Sequence, residues 1–278
     1  MTLVVLITGC TEGGIGNGLC QEFVKRGCKV YATARRVESM GALQGCEKLA
    51  LDVTDQQSIN STVQRVIDEV GHIDILVNNA GAPGVGPLLD IDLDAARQCV
   101  EVNVFGLLAM SRAVAKHMVK RGSGKIANVG SIVGYSPTPW AGIYAMSKAA
   151  VHSLTDTLRM ELAPFGVQAL VIAPGSITSN FGKNSTNMVS VPEDSLYLSV
   201  VKFIYARANM SQGPNSTPTN VFATYVVNKL LKRFPPRYIT YGNNSFTFLL
   251  FYYLPFFIRE FVLSRRLGVN QLKSIANK

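Results

Sequence analysis

Short apolar runs alternate with amphipathic stretches along the first 180 residues. Residues 3–7 (Leu-Val-Val-Leu-Ile) form an uninterrupted apolar run, the pattern of a strand covered on both faces. Residues 17–26 place Leu19, Phe23 and Val24 on one side of a helix that Gly27 ends. The alternation then repeats. Strands are expected at 29–33, 49–51, 73–77, 125–129 and 167–172, and helices at 56–70, 94–120 (interrupted by Gly106) and 143–162. Such spacing predicts an α/β fold: a doubly wound parallel sheet with right-handed crossovers and helices on both faces. No internal repeat or low-complexity linker divides this region. Its notable polar and glycine-rich residues fall just past strand ends, where open α/β sheets bind ligands.

Beyond residue 180 the pattern changes. The segment 176–218 is rich in Ser, Asn and Pro and is expected to form a lid over the substrate. Residues 219–233 read as an amphipathic helix and 237–241 as a last strand, closing a domain of residues 1–242. The tail, 243–278, contains an apolar and aromatic stretch at 246–258, followed by Arg259, Glu260 and Arg265-Arg266. Its uninterrupted run falls short of the roughly 20 residues of a membrane-spanning helix. Pro255 also breaks it. Aromatics rimmed by arginines suit a segment lying in the headgroup region of a membrane; the alternative is a helix packed in the core or at a dimer interface.

Charge reinforces that division. Of the 27 Lys+Arg and 18 Asp+Glu, residues 195–278 hold eleven of the cations and only Glu260 among the acids. The formal +9 therefore resides in the C-terminal part, which favours an anionic membrane leaflet. No nucleic-acid-binding motif accompanies the basic residues, so nucleic acid is not expected as a partner. Five cysteines with no C-x-x-C pair argue against a disulfide framework and against a metal site, and suit a reducing compartment. Met1 runs almost directly into the first apolar segment, which predicts no signal peptide. The N-x-[ST] triplets at Asn60, Asn184, Asn215 and Asn243 then read as chance.

Chemistry enters at the first turn. Thr8-Gly9-Cys10-Thr11-Glu12-Gly13-Gly14-Ile15-Gly16 joins the first strand to the first helix. Glycines there let the backbone approach a pyrophosphate, and the helix start offers free N–H groups and a positive dipole end. The second strand ends in Thr33-Ala34-Arg35-Arg36, with no acid to hold a ribose 2′-hydroxyl. Arginine there can pair with a 2′-phosphate, so the coenzyme is expected to be NADP(H). Asp52 could accept a hydrogen bond from the adenine amino group, or serve as a turn residue. Tyr144 and Lys148 lie one helical turn apart, with Ser131 thirteen residues before Tyr144. A cation beside the phenol favours phenolate and makes tyrosine a usable proton donor near neutrality. Ser131 supplies a hydroxyl for a carbonyl oxygen on which charge develops.

Taken in order, the glycine turn, Asp52, Asn78-Asn79-Ala80-Gly81, Asn103, Ser131, Tyr144-x-x-x-Lys148 and Pro174-Gly175 resemble the short-chain dehydrogenase/reductase family. The resemblance covers about residues 3–180 and implies a Rossmann-like fold. It further implies that Tyr144 is the general acid/base and that Lys148 lowers its pKa and binds the nicotinamide ribose. Ser131 would orient the carbonyl, and Asn103 would hold a water in a proton relay. Thr8, Gly9, Gly14, Ile15, Gly16, Arg35, Arg36, Asp52 and Val53 would contact the cofactor. Asn79, Ala80 and Gly81 would shape its floor, with Pro174, Gly175, Ile177 and Thr178 beside the nicotinamide. One departure is that four residues, not the usual three, separate Gly9 from Gly14, which brings Glu12 toward the phosphates.

Softer cues are similar to fungal 1-acyldihydroxyacetone-phosphate reductases: the loop 12–16, Ala32–Arg36, Val102–Gly106 and the hydrophobic tail. They imply a lipid ketone as substrate, with Lys183, Lys202 and Arg207 as candidates to hold its phosphate. They also imply residence on the cytosolic face of the endoplasmic reticulum or lipid droplets. Steroid and retinol dehydrogenases share several of these cues and remain an alternative. Two readings from other classes are a lipid hydrolase acting through Ser131 and a silent NADP-binding scaffold. The first lacks a G-x-S-x-G elbow, and the second is at odds with the intact Asn103, Ser131, Tyr144 and Lys148 set. The sequence leaves open whether the protein forms a homo-oligomer.

Overall fold

In the computed structural model, residues 2–272 are described. The first strand, β1 (Val4–Ile7), is followed by α1 (Ile15–Lys25), β2 (Lys29–Ala34), β3 (Cys46–Ala50), α2 (Gln56–Val70) and β4 (Ile75–Asn78). Next come α3 (Leu93–Val100), α4 (Leu107–Arg121), β5 (Gly124–Val129), α5 (Gly142–Leu162) and β6 (Val167–Pro174). The lid region holds α6 (Phe181–Asn187) and α7 (Val201–Ala208). The chain continues with α8 (Thr219–Leu230), β7 (Tyr238–Tyr241), α9 (Ser245–Tyr253) and α10 (Phe256–Arg266). The seven strands form one parallel sheet in the order β3-β2-β1-β4-β5-β6-β7. Strand order reverses between β1 and β4, so the carboxyl ends of these two strands border the crevice where such sheets bind ligands.

Alternation along β1 divides the core. Val5 and Ile7 face Leu19 and Phe23 of α1 and Phe222 and Val226 of α8. Val4 and Leu6 face Ile59 and Val63 of α2 and Met110 and Val114 of α4. Both sheet faces are thus covered, which is why the strands read as continuous apolar runs.

Several boundaries differ from expectation for local reasons. The third strand spans Cys46–Ala50 instead of 49–51, because pairing with β2 holds the more polar residues Cys46–Lys48 in the ladder. The expected helix 94–120 is two α-helices joined by a π-helical stretch, Glu101–Gly106. At Gly106 a Cβ would come within 2.8 Å of the Val53 carbonyl, so only glycine lets the helix pass the β3 end this closely. The lid is pinned at its neck. Thr178 N–H donates to Thr217 O at 3.0 Å, and Thr217 N–H to Ser176 O at 2.9 Å.

The aromatic tail is two helices that meet at Leu254-Pro255. Phe248, Phe251, Leu263 and Leu267 are buried against the domain, whereas Phe246, Tyr253, Phe256, Phe257 and Phe261 stand in solvent. Phe251, Leu263 and Leu267 share a cluster with Trp140 and with Val200 and Ile204 of the lid. Trp140 Nε1 also donates to Leu267 O at 2.8 Å. Among the described residues no helix is long and apolar enough to cross a membrane.

Candidate active site

The glycine turn is shaped by close backbone contacts. Gly9 adopts φ +71°, and a Cβ there would lie 2.7 Å from Ala80 Cα. At Gly16 a Cβ would lie 2.6 Å from the Gly9 carbonyl. Thr8 works from beneath: its Oγ1 accepts the N–H groups of Asn79 and Ala80 at 3.0 and 2.9 Å. Asn79 Nδ2 returns bonds to the carbonyls of Thr8 and Gly9, both at 2.9 Å. The additional loop residue is absorbed in a turn, closed by Gly14 N–H to Thr11 O at 3.0 Å, with Gly13 at φ +71°. Helix α1 follows with no side-chain cap, which leaves its first N–H groups available to an anion.

A cavity of about 660 Å³ runs from this turn across the carboxyl ends of the strands. Gly9, Gly14 and Ile15 line it at the turn, Arg35, Asp52 and Val53 at one side, and Asn79, Ala80 and Gly81 along the floor. Pro174, Gly175 and Ile177 line the end near Tyr144 and Lys148. Glu12 is also at the wall, but its carboxylate is turned against Gly41 and its N–H is bonded to Ser39 O at 2.8 Å. Asp52 lines the cavity and acts as a turn residue, its Oδ1 accepting from Thr54 N–H and Oγ1.

Five expected contact residues do not line the cavity. Thr8 and Gly16 lie below the floor as supports. Arg36 is exposed, with its backbone carbonyl accepting from Ser39 Oγ at 2.6 Å. Thr178 is exposed and bonded into the lid neck. Asn103 is fully buried in the π-helical stretch, and its amide is committed to protein. Its Oδ1 accepts from Ala82 N–H at 2.7 Å, and Nδ2 donates to Ala82 O at 3.0 Å and Ser147 Oγ at 2.9 Å. The Asn103 side chain therefore holds the Ala82 loop against α5 instead of reaching the cavity.

The reacting groups come from β5 and α5. Ser131 follows β5 in an extended conformation, with Oγ accepting from Val133 N–H at 3.3 Å. Tyr144 opens toward the cavity under the lid, its ring 5.3 Å from that of Phe181. Enclosure away from water pushes the phenol up to about 12; Arg207 opposes the rise, Cys99 adds to it and Ser131 opposes it. Lys148 Nζ lies 5.7 Å from the Tyr144 ring centroid and donates to Val129 O at 2.8 Å. Burial pulls Lys148 down to about 8. Two cations thus lie near the phenol: Arg207, whose charge opposes the rise, and Lys148, which lies over the ring and is also bonded to the strand end.

Sequence reasoning passed over three supporting residues. One is His152, whose Nε2 accepts the Ser131 N–H at 3.4 Å. The ring is packed beneath Gly130 and Gly134, behind the serine and away from Oγ. Asn180 clamps the lid to the glycine turn through Nδ2 to Glu12 O at 2.8 Å. Thr138 accepts from Arg207 Nε at 2.7 Å. Asn180 and Thr138 carry no local signal; His152 could have been placed by its one-turn spacing from Lys148 on α5.

The short chain dehydrogenase family model matches residues 3–190. The chain belongs to that family. It is 36% identical to a short-chain dehydrogenase of Penicillium ochrochloron over 96% of this chain and 98% of that one. It is 40% identical to the NADPH-dependent 1-acyldihydroxyacetone phosphate reductase of Schizosaccharomyces pombe over 74% of this chain and 71% of that protein. Among solved structures, a short-chain dehydrogenase from Streptomyces avermitilis superposes with TM-score 0.80 at 27% identity over 99% of both chains. One from Burkholderia cenocepacia, in complex with NADP, gives TM-score 0.70 at 26% identity over 98% of both.

The protein is accordingly a nicotinamide-dependent oxidoreductase, and its cradle fits such a dinucleotide. Side chains at Gly9 or Gly16 would strike Ala80 and the Gly9 carbonyl and force the tight turn open, and the uncapped α1 start and Arg35 offer positive charge for phosphates. The Gly9–Ile15 turn and Arg35 would hold the adenosine half, and Gly175, Ile177 and Lys148 the nicotinamide half. When bound in reduced form, the cofactor supplies a hydride. The proton would come from this chain: Tyr144 and Ser131 both line the cavity, where Tyr144 Oη would donate it to a carbonyl oxygen and Ser131 Oγ would hydrogen-bond the same oxygen.

Proposed function

We propose that this dehydrogenase reduces a lipid ketone, 1-acyldihydroxyacetone phosphate, to 1-acylglycerol 3-phosphate with NADPH as reductant. The observation that carries this reading is the shape of the cavity beyond Tyr144. Ile132, Val133, Phe181, Met188 and Met210 give it apolar walls suited to an acyl chain. The S. pombe relative, named for that reaction, supports the same substrate. Arg35 at the cavity wall, with no acid ending β2, supports NADPH over NADH.

Membrane attachment belongs to the same proposal. Phe248 of α9 packs with Ile132, Val133 and Tyr144, so the tail adjoins the acyl end of the site. The opposite faces of α9 and α10 present Phe246, Tyr253, Phe256, Phe257 and Phe261 among Arg259, Arg265 and Arg266. Aromatics with adjacent cations match the interface of an anionic cytosolic leaflet, such as that of the endoplasmic reticulum or a lipid droplet. A substrate with an acyl chain could then enter the cavity from the lipid.

The test is NADPH oxidation by purified enzyme with 1-acyldihydroxyacetone phosphate, against steroid and retinoid ketones and with NADH as control. Turnover of the acyl ketone phosphate at least tenfold above the other ketones is expected. Preferred turnover of a steroid or retinoid ketone would overturn the substrate assignment.

A further inference from the structure

Arg207 is a buried guanidinium without a carboxylate. It lies on α7 with 8% of its surface exposed, and it lines the cavity together with Tyr144. Among the described residues no acid lies within salt-bridge distance of it. Thr138 Oγ1 accepts from Nε at 2.7 Å, and among the described residues the two terminal nitrogens have no protein acceptor. Removing a cation from water without an opposing charge is costly, so an anion from outside the chain is the natural complement. A guanidinium fork matches two oxygens of a phosphate at once.

We propose that Arg207, oriented by Thr138, is the anion subsite that holds a substrate phosphate beside the reacting carbonyl. This rests on the lipid-ketone reading and selects among its candidate cations. Lys202 is exposed and lies over the Phe203 ring at 5.1 Å. Lys148 is committed to the Val129 carbonyl. The side chain of Lys183 lies outside the described residues. Position supports Arg207 further: its helix is braced by Val200 and Ile204 against Trp140, Phe251 and Leu263, so the fork is held in place before substrate arrives.

One consequence concerns substrate choice. Because Arg207 shares its part of the cavity with Tyr144, the phosphate must sit a short spacer from the carbonyl carbon.

The experiment compares kcat/KM for 1-acyldihydroxyacetone phosphate and for the dephosphorylated 1-acyldihydroxyacetone, with NADPH, in wild type, Arg207→Gln and Thr138→Val. The preference for the phosphorylated ketone is expected to fall about 100-fold in Arg207→Gln, mainly through KM, and less in Thr138→Val. NADPH binding and the thermal midpoint report whether each variant folds, and Arg207→Lys should restore part of the preference. A preference within threefold of wild type in a folded Arg207→Gln protein would overturn the subsite while leaving the lipid-ketone reading intact. If wild type turns over neither ketone, that reading fails, and hexadecyl phosphate is titrated calorimetrically into NADPH-loaded protein. Binding lost in Arg207→Gln would then support the subsite, and equal binding in both proteins would overturn it.

Discussion

The Lys148 ammonium donates a 2.8 Å hydrogen bond to the carbonyl of Val129, the last residue of β5 and two before Ser131. One bond thereby fastens the helix carrying Tyr144 to the strand end carrying Ser131. The Tyr144 and Ser131 hydroxyls at the cavity are thus placed by secondary structure, with little left to side-chain chance.

Burial of Lys148 sets a pH limit. Its pKa is held near 8, whereas Tyr144 is raised to about 12 and stays protonated throughout the neutral range. Reductase kcat/KM is expected to be level below about pH 8 and to decline above it as the ammonium loses its proton. Lys148→Arg, charged at every accessible pH, should show a lower rate with no such decline. A steady-state pH profile measures this; a level wild-type profile to pH 10 would contradict it.

Coenzyme choice should rest on Arg35 and not on Arg36. Arg35 lines the cavity, while Arg36 is exposed and does not line it. Arg35→Asp replaces attraction for a 2′-phosphate with repulsion, so the NADPH dissociation constant is expected to rise about 100-fold. Arg36→Asp should change it less than threefold. Fluorescence titration with NADPH and NADH would compare the two variants.

Much of this architecture was legible in the chain because its signals are local. The apolar runs of β1, β4 and β5 have the composition of strands covered on both faces, and Tyr144 and Lys148 are placed by helical spacing alone. What was not legible depends on contacts distant in sequence. Asn103 carries the family pattern, but only the folded loop shows its amide bonded to Ala82 and Ser147. Lys183, Lys202 and Arg207 could not be ranked by sequence, since Arg207 is buried, and meets the distant Thr138, only in the folded chain. The aromatic run of the tail also concealed an amphipathic pair. Its periodicity is interrupted at Pro255, so Phe251 turns inward while Phe256 and Phe257 turn outward.

Acid should weaken the fold through His152. Burial first, and then the Lys148 charge, lower its pKa to about 4, while Asp156 acts the other way. Between about pH 4 and the unfolded value of roughly 6.5, the unfolded chain binds a proton that the folded chain does not. Stability therefore falls as pH drops through this window, by an amount on the order of 3 kcal/mol when complete. Denaturant unfolding from pH 7 to pH 4 would detect it. His152→Gln should lose part of that slope, and an unchanged slope would argue against the assignment.

Membrane attachment should depend on the outward faces of α9 and α10. Phe256, Phe257 and Phe261 are 70%, 70% and 57% exposed, and Arg259 and Arg265 lie over the Phe256 and Phe261 rings. Replacing the three phenylalanines with serine is expected to reduce co-sedimentation with anionic phospholipid vesicles more than tenfold. Higher salt should weaken wild-type binding in part, as the arginine contribution is screened.

Tyr144 as the proton donor is the central claim, and Tyr144→Phe tests it most directly. NADPH oxidation with 1-acyldihydroxyacetone phosphate would be measured for both proteins, alongside NADPH binding by fluorescence. Loss of at least 1,000-fold in kcat, with the NADPH dissociation constant within threefold of wild type, is the expected result. A variant that retained a tenth of wild-type turnover would show that the proton comes from elsewhere.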